Sequence, residues 1–543
     1  MDAAVAYETK RLDHLGIVAG ICQEIGLADI IDAQVGPSGR QVSVGQATQA
    51  MVLNGLGFSS RALYLTPEFF ANKPVEALIG PGITAAMLHD DTLGRALEAL
   101  YAGGVTELFA RVAAAGCRRY GIAHQFVHLD STSFHLHGAY DAAEPEREAI
   151  QITYGYSKDE RPDLKQVVVN LMTSYRTAIP TWLEVLSGNS SDRQTFVASI
   201  AAYTAQLAAA DSPTFVADSA LYSADNLRAL SSLRWVSRVP QTIRLAQEWV
   251  EQVAVEEMTP LDDEGYLGRE LDVTYGAVAQ RWLVVYSTAA AAREARTFAR
   301  LLARQRTQAE KQLRQLQQQT FACEADGQEA VARVTRRWRY HRAQVDLQPI
   351  HRYPHPGRPP QGAAPDLVGY RLVGEVVEDP AALEEAARRQ GKFIIATNEL
   401  DPDRLSPAAM LSVYKAQGVS VERGFRFLKD PLFFADSLFL KKPERIMALI
   451  MVMGLALLVY ALAEHQLRTA LQVENQTIPD QVGKPTARPT MRRVFQIFEG
   501  IDLLVIVTGG QVVDRRVLNL TAVQRQIILL MGAAVKKVYL VDD

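Results

Sequence analysis

The chain has 543 residues, 48% of them hydrophobic, which is enough for a large core and too long for one ordinary domain; its length points to three or four. The formal net charge is −4, from 57 basic and 61 acidic residues, so a uniformly basic nucleic-acid binder is excluded and any such contact must rest on local patches. Three widely separated cysteines, Cys22, Cys117 and Cys323, form no CxxC pair, which argues against a zinc ribbon or disulfide framework and fits a reducing, cytoplasmic setting.

The N-terminal MDAAVAYETKRLDHLG has no apolar core after its basic residues, so export is not expected. Residues 1–118 read as a helical domain, because apolar residues recur three and four apart in LDHLGIVAGICQEIGLADIID, VGQATQAMVLNGLGF and LGRALEALYAGGVTELFARVAA. Periodicity leaves open whether it binds DNA ends, dimerises or only folds. From 119 to 240 the character is α/β. FVHLDSTSF, LKQVVVNLMTS, AIPTWLEVLSG, SPTFVADSAL and RWVSRVP read as strands, with a helix after NSSD capped by Ser191 or Asp192 and another in SADNLRALSSL. Residues 241–390 break this rhythm with strand-like LDVTYGAVAQRWLVVYST, a long charged helix over 292–319 and a Pro-rich basic stretch, and read as an insertion. The pattern resumes over 391–470 with the strand GKFIIATNEL and the helix LSPAAMLSVYKAQGVSVERGFRFLKD, and 471–543 form a C-terminal, helical region. Met447–Ala463 is a run of 17 uncharged, mostly apolar residues at the lower limit for a membrane span. Arg445 and Glu464 bracket it, so a buried core helix is the preferred reading.

Two strands end in acids, Asp130 after FVHL and Asp218 after TFVA, and Glu422 lies on a helix that follows a strand. Strand ends form the sheet rim where α/β sheets place ligands. Three carboxylates there suit Mg²⁺, a hard cation that keeps several waters. Two such ions about 4 Å apart activate an attacking oxygen and stabilise a leaving one. Taken alone, an Asp after an apolar strand is more commonly a turn or cap residue. His128, His135 and His137 flank Asp130, but the sequence holds neither an HExxH nor a nearby cysteine, so a zinc site is not expected.

Four segments, HLDSTSFHLHG (128–138), GYSKDERPDLKQ (155–166), FVADSALYSADNL (215–227) and YKAQGVSVERGFRFLKDP (414–431), give the chain a resemblance to bacterial insertion-sequence transposases of the DDE class. The similarity is to the cut-and-paste group with a Tyr-Arg-Glu-Lys signature, matched here by Tyr414, Glu422 and Lys429. Gln417 stands where the signature carries Arg, and the Tyr-to-Glu spacing is one residue longer. Arg423 or Arg426 could take that contact. The resemblance implies an RNase H-like catalytic domain with a β-rich insertion between the second Asp and the Glu. It also implies a catalytic and metal-binding triad of Asp130, Asp218 and Glu422, holding two Mg²⁺ ions for which Mn²⁺ substitutes. The expected function is binding of terminal inverted repeats, metal-dependent cleavage and strand transfer, with Lys429 and Tyr414 at DNA phosphates. A hairpin step would need an aromatic receiver for a flipped base, Trp282 or Trp338.

Partners expected from this reading are double-stranded DNA and a second copy of the chain, with no membrane, in the nucleoid. RVTRRWRYHR (333–342) interleaves Arg336, Arg337 and Arg339 with Trp338 and Tyr340, a composition suited to phosphate contact and stacking. The helix around Arg293–Arg314 and KPTARPTMRR (484–493) are further basic candidates. A related nuclease without strand transfer, or a non-catalytic DNA-binding derivative, would share these features.

Overall fold

A computed structural model describes the chain except residues 1–4, 38, 59–62, 139, 141–149, 208–211, 355–356, 359–360, 431–439, 510 and 543, and the side chain at 419. The signature segment's Pro431 and parts of the Pro-rich stretch therefore lie outside the described residues. The chain forms two compact units: Met1–Ser237, Tyr275–Val278 and Ser412–Asp543 make the first, Arg238–Thr274 and Ala279–Leu411 the second.

The first unit opens with β1 (Val5–Arg11), then α1 (Leu15–Glu24), α2 (Leu27–Val35), α3 (Val44–Leu56), α4 (Thr66–Phe70), α5 (Val75–Leu78), α6 (Asp90–Ala102) and α7 (Val105–Tyr120). The expected helices are present. α3 begins where Ser43 and Gln46 form a capping box, and α7 ends at Gly121, whose φ of +61° favours glycine. The opening segment differs from expectation: Val5–Arg11 is a strand. Its seven residues are too few to show a period against the helical runs that follow, and its partner, described below, is remote in sequence.

An α/β layer follows: β2 (Phe126–Leu136), β3 (Lys165–Ser174), β4 (Pro180–Ser187), α8 (Asp192–Thr204), β5 (Thr214–Ala217), α9 (Ala224–Ala229) and β6 (Arg234–Arg238). The strands lie in the order β4-β3-β2-β5-β6. β3 pairs antiparallel with β2 and β4, whereas β5 runs parallel to β2 and β6. β2 does not end at Asp130, as FVHLD suggested. It continues to Leu136 because β3 pairs with it throughout, from Val127↔Ser174 to Leu136↔Lys165.

The second unit contains α10 (Arg244–Gln252), β7 (Thr259–Pro260), β8 (Tyr266–Tyr275), β9 (Val278–Ser287), α11 (Thr288–Gln317), β10 (Thr320–Phe321), α12 (Glu324–Thr335), β11 (His341–Arg352), β12 (Asp366–Glu378), α13 (Pro380–Arg389) and β13 (Lys392–Thr397). β13, β9, β8 and β7 lie side by side, and β10, β12 and β11 make a separate sheet. α11 and α12 close the latter over a small core of Ala309, Leu313, Leu316, Phe321, Ala330, Leu372 and Val376.

The chain then supplies α14 (Pro407–Leu428), α15 (Pro443–Val473), β14 (Ile478–Pro479), β15 (Pro485–Thr486), α16 (Met491–Ile497), β16 (Asp502–Thr508), β17 (Gln511–Leu518), α17 (Ala522–Leu530) and α18 (Ala533–Val538). The C-terminal region is thus less helical than its sequence suggested. β16 pairs with both β17 and β1, in a register running from Val5↔Thr508 to Arg11↔Asp502. α15 carries the long apolar run. Its 31 residues and a most apolar window of mean hydropathy 2.6 would allow a membrane crossing by length and composition, yet 89% of that window is buried. It packs on α3, α6, α7 and β4. At Gly454 a Cβ would meet Leu183 and lie 3.0 Å from a Phe109 ring carbon, so only glycine allows this approach.

Candidate active site

The registers of β2 and β5 put two acids side by side. Leu129 is opposite Ala217 in the parallel pair, and Asp130 and Asp218 are the next residues on each strand, at a strand spacing of about 4.8 Å. β5 stops there, and Asp218 begins the turn: its Oδ1 accepts from Ala220 N at 2.9 Å, and its main-chain oxygen from Ser237 Oγ at 2.7 Å. Asp130 Oδ1 accepts from Ser131 N at 2.7 Å.

Both carboxylates are held at a cost. Burial, reinforced by the charges of Asp218 and Asp192, pushes the Asp130 pKa up to about 6, against the opposing pull of Lys158 and the Ser131 N–H. Burial likewise raises Asp218, with Asp192 adding to it and the Ala220 N–H and Lys158 opposing. Asp192, at the first turn of α8, is a member of this cluster that the sequence did not reveal. Ser191 precedes the helix without a side-chain cap bond, and Asp192 spends its carboxylate elsewhere: Oδ1 accepts from Ser131 Oγ and Oδ2 from Lys158 Nζ.

α14 brings the third acid. Val413 O accepts from His128 Nε2 at 2.9 Å, leaving Nδ1 3.0 Å from Ser420 Oγ. Burial holds this imidazole below its ordinary pKa. Gln417, in the position of the signature Arg, donates instead to Leu129 O at 3.3 Å. Further along, Lys429 Nζ stands 5.8 Å over the Phe134 ring. His128, Asp130 and Phe134 alternate on one face of β2, so the stretch of α14 between Ser420 and Lys429 accompanies Asp130. Glu422 lies in that stretch, exposed, with its carboxylate folded back over Gly418. Among the described residues no three acidic, imidazole or thiol groups lie close enough to form a ready metal cluster.

Other candidates have local partners. Lys429 Nζ donates to Asp159 Oδ2 at 2.6 Å, and His135 Nε2 meets Ser157 Oγ at 2.9 Å. Arg423, 39% exposed, uses Nη2 for two bonds, of 2.6 and 2.8 Å, to the carboxylate of buried Glu464. Arg426 is exposed and Tyr414 half-buried. Trp282 is 0% exposed on β9, its Nε1 bound to Gln280. A ring enclosed in a sheet core has no face for a base, and the continuous apolar run WLVV, buried on both faces, is the signal that could have shown it. Trp338 is half-buried, its Nε1 donating to Gln312 at 2.8 Å. Arg336, Arg337 and Arg339 are exposed around the turn after α12, Arg339 lying 5.2 Å over Tyr340.

Asp130 and Asp218 thus stand on neighbouring parallel strands, beside the helix that carries Glu422. The family described as Transposase DDE domain matches residues 122–459, a span that holds all three acids, and a domain of unknown function (DUF4277) matches residues 7–114. The chain belongs to the DDE transposase family, whose members generally use divalent metal ions. Among solved structures, similarity is found to the piggyBac transposase synaptic complex with hairpin DNA, with 8% identity, a TM-score of 0.38, and coverage of 91% of this chain and 82% of that one. No curated protein matches the chain.

Proposed function

We propose that the chain is the transposase of an insertion sequence, binding terminal inverted repeats and performing metal-dependent cleavage and strand transfer through Asp130, Asp218 and Glu422. The observation that carries this is the adjacency of Asp130 and Asp218 on parallel strands, with the Glu422 stretch of α14 alongside. We read the sheet order β4-β3-β2-β5-β6, antiparallel then parallel, as an RNase H-like layer, and the second unit as its insertion. The donor set fits Mg²⁺ or Mn²⁺: hard carboxylate oxygens, two already adjacent. Two such ions, when bound, supply Lewis-acid activation of the attacking oxygen and relief of charge on the leaving one. Asp130 and Asp218 would hold them from the sheet, and Glu422 would complete the set from the helix. Tyr154 and Tyr156, 57% and 87% exposed beside Lys158, give the loop before β3 rings on which bases can stack. Holding two element ends together calls for a second copy of the chain. The deciding experiment incubates the protein with repeat-ended DNA, target DNA and Mg²⁺. Joined product is expected; cleavage without joining would reduce the reading to a nuclease, and neither would refute it.

Two outcomes follow from the charges. Each phosphate neutralised contributes roughly −0.9 to the slope of log K against log salt. Replacing exposed Arg336, Arg337 and Arg339 with Ala should therefore make that slope shallower by up to about three units, read by titration at several salt concentrations. An unchanged slope would mark the run as merely solvated. The second is pH dependence. A carboxyl whose folded pKa is raised to about 6 favours the fold in its protonated form, so this contribution is present below the ordinary carboxylate pKa and lost as pH rises through about 6. Conversely, Mn²⁺ affinity falls as pH drops through about 6, with protons released on binding; calorimetry in buffers of different ionisation enthalpy measures both.

A further inference from the structure

Lys158 is exposed, with 31% of its side chain accessible, yet its ammonium is held by hydrogen bonds. Its ammonium has three N–H donors, and three oxygens meet them: Ser131 O and Ser131 Oγ at 2.7 Å each, and Asp192 Oδ2 at 2.8 Å. Asp130 Oδ1, at 3.8 Å, is beyond hydrogen-bond range but well within Coulombic reach. The loop carrying it is fixed from both sides of the lysine, by Ser157 on His135 and by Asp159 on Lys429.

We propose that Lys158 is a built-in counter-cation that competes with divalent metal ions for the Asp130–Asp218 acid cluster, and that Asp192 is the positioning residue that holds it back. This rests on the reading of Asp130 and Asp218 as metal ligands. A Mg²⁺ ion bonded to a carboxylate oxygen sits about 2.1 Å from it. An ammonium 3.8 Å from Asp130 Oδ1 would then lie at most about 6 Å from a divalent ion on that oxygen. Even with water-like screening, that repulsion lowers affinity by about tenfold. The charge nevertheless keeps the acids together before an ion arrives, since three carboxylates, Asp130, Asp192 and Asp218, repel one another around it. Asp192 sets the balance. Its bond keeps the ammonium's third donor away from Asp130; without it, Lys158 falls onto Asp130 as a direct ion pair and competes harder.

The test is Mn²⁺ binding by calorimetry, without DNA, on the full chain and on Lys158→Met, Lys158→Gln, Lys158→Arg, Asp192→Asn, Lys158→Met/Asp192→Asn and Asp130→Asn, each checked for native circular dichroism. The two neutral Lys158 variants should bind Mn²⁺ about tenfold more tightly, and Lys158→Arg like wild type. Asp192→Asn should bind several-fold more weakly, and the double variant like Lys158→Met. Having two neutral variants keeps the result readable if one fails to fold. Unchanged or weaker binding in a folded neutral variant overturns the proposal. Equal weakening by Asp192→Asn with and without Lys158 overturns its second half and makes Asp192 a ligand. Wild-type binding by Asp130→Asn would instead bring down the metal-site reading itself.

Discussion

Asp130→Asn and Asp218→Asn proteins should bind repeat DNA normally, cut it at less than about one-thousandth of the wild-type rate, and melt at a higher temperature than wild type in the absence of divalent ions. The gain and the loss have one origin. Two half-buried carboxylates stand on neighbouring strands, each pushed toward its protonated form by desolvation and by acidic neighbours. At neutral pH the fold carries the cost of ionising them, up to about 3 kcal/mol for Asp130 given its pKa of about 6. Asparagine keeps the shape and removes the charge. Glu422→Gln should lose cleavage as fully but leave melting unchanged, because that side chain is exposed. Gel shift, a Mg²⁺ cleavage assay and thermal melting separate the three effects. Near-wild-type cleavage by any one of these variants would remove that residue from the catalytic set.

Glu464→Ala should destabilise the first unit by about 3 kcal/mol, read as a lower urea midpoint. The carboxylate is 7% exposed and joins three elements: it takes the bonds of Arg423 on α14, a contact of 2.8 Å from Arg468 one turn on, and Met491 N at the start of α16 at 2.9 Å. Its removal strands two guanidinium groups, each more than a quarter exposed, which places the loss at the lower end for a buried network. Arg423→Ala should cost less, since Glu464 keeps Arg468 and the amide. A Glu464→Ala midpoint equal to wild type would show that water replaces the network without penalty.

How far the sequence could be read depends on the range of the interactions involved. α14 was legible because its apolar positions repeat within one element, and Glu422 was singled out by the resemblance of Tyr414, Glu422 and Lys429 to the family signature. Asp130 and Asp218 were legible as acids after apolar runs. That Asp130 lies inside a strand was not, because DSTS looks like a turn until β3 is known to pair along it. Asp192 looked like a helix cap for the same local reason, while its partner Lys158 lies 34 positions earlier in a loop. Arg423 resembled a phosphate ligand because nothing near it in sequence announces Glu464, 41 positions away. Local periodicity reveals elements; pairings across the chain decide what their polar residues do.

The pairing of β1 with β16 has a consequence for how the protein is made. Val5 meets Thr508 in that sheet, so β1 must wait for a partner translated about 500 residues later. At roughly 5–20 residues per second, the wait is on the order of 25–100 s. Glu422 likewise follows Asp218 only after the whole second unit has been translated. The nascent chain therefore carries its aspartates long before it can close its first compact unit around them, and a polypeptide truncated anywhere before β16 leaves β1 unpaired.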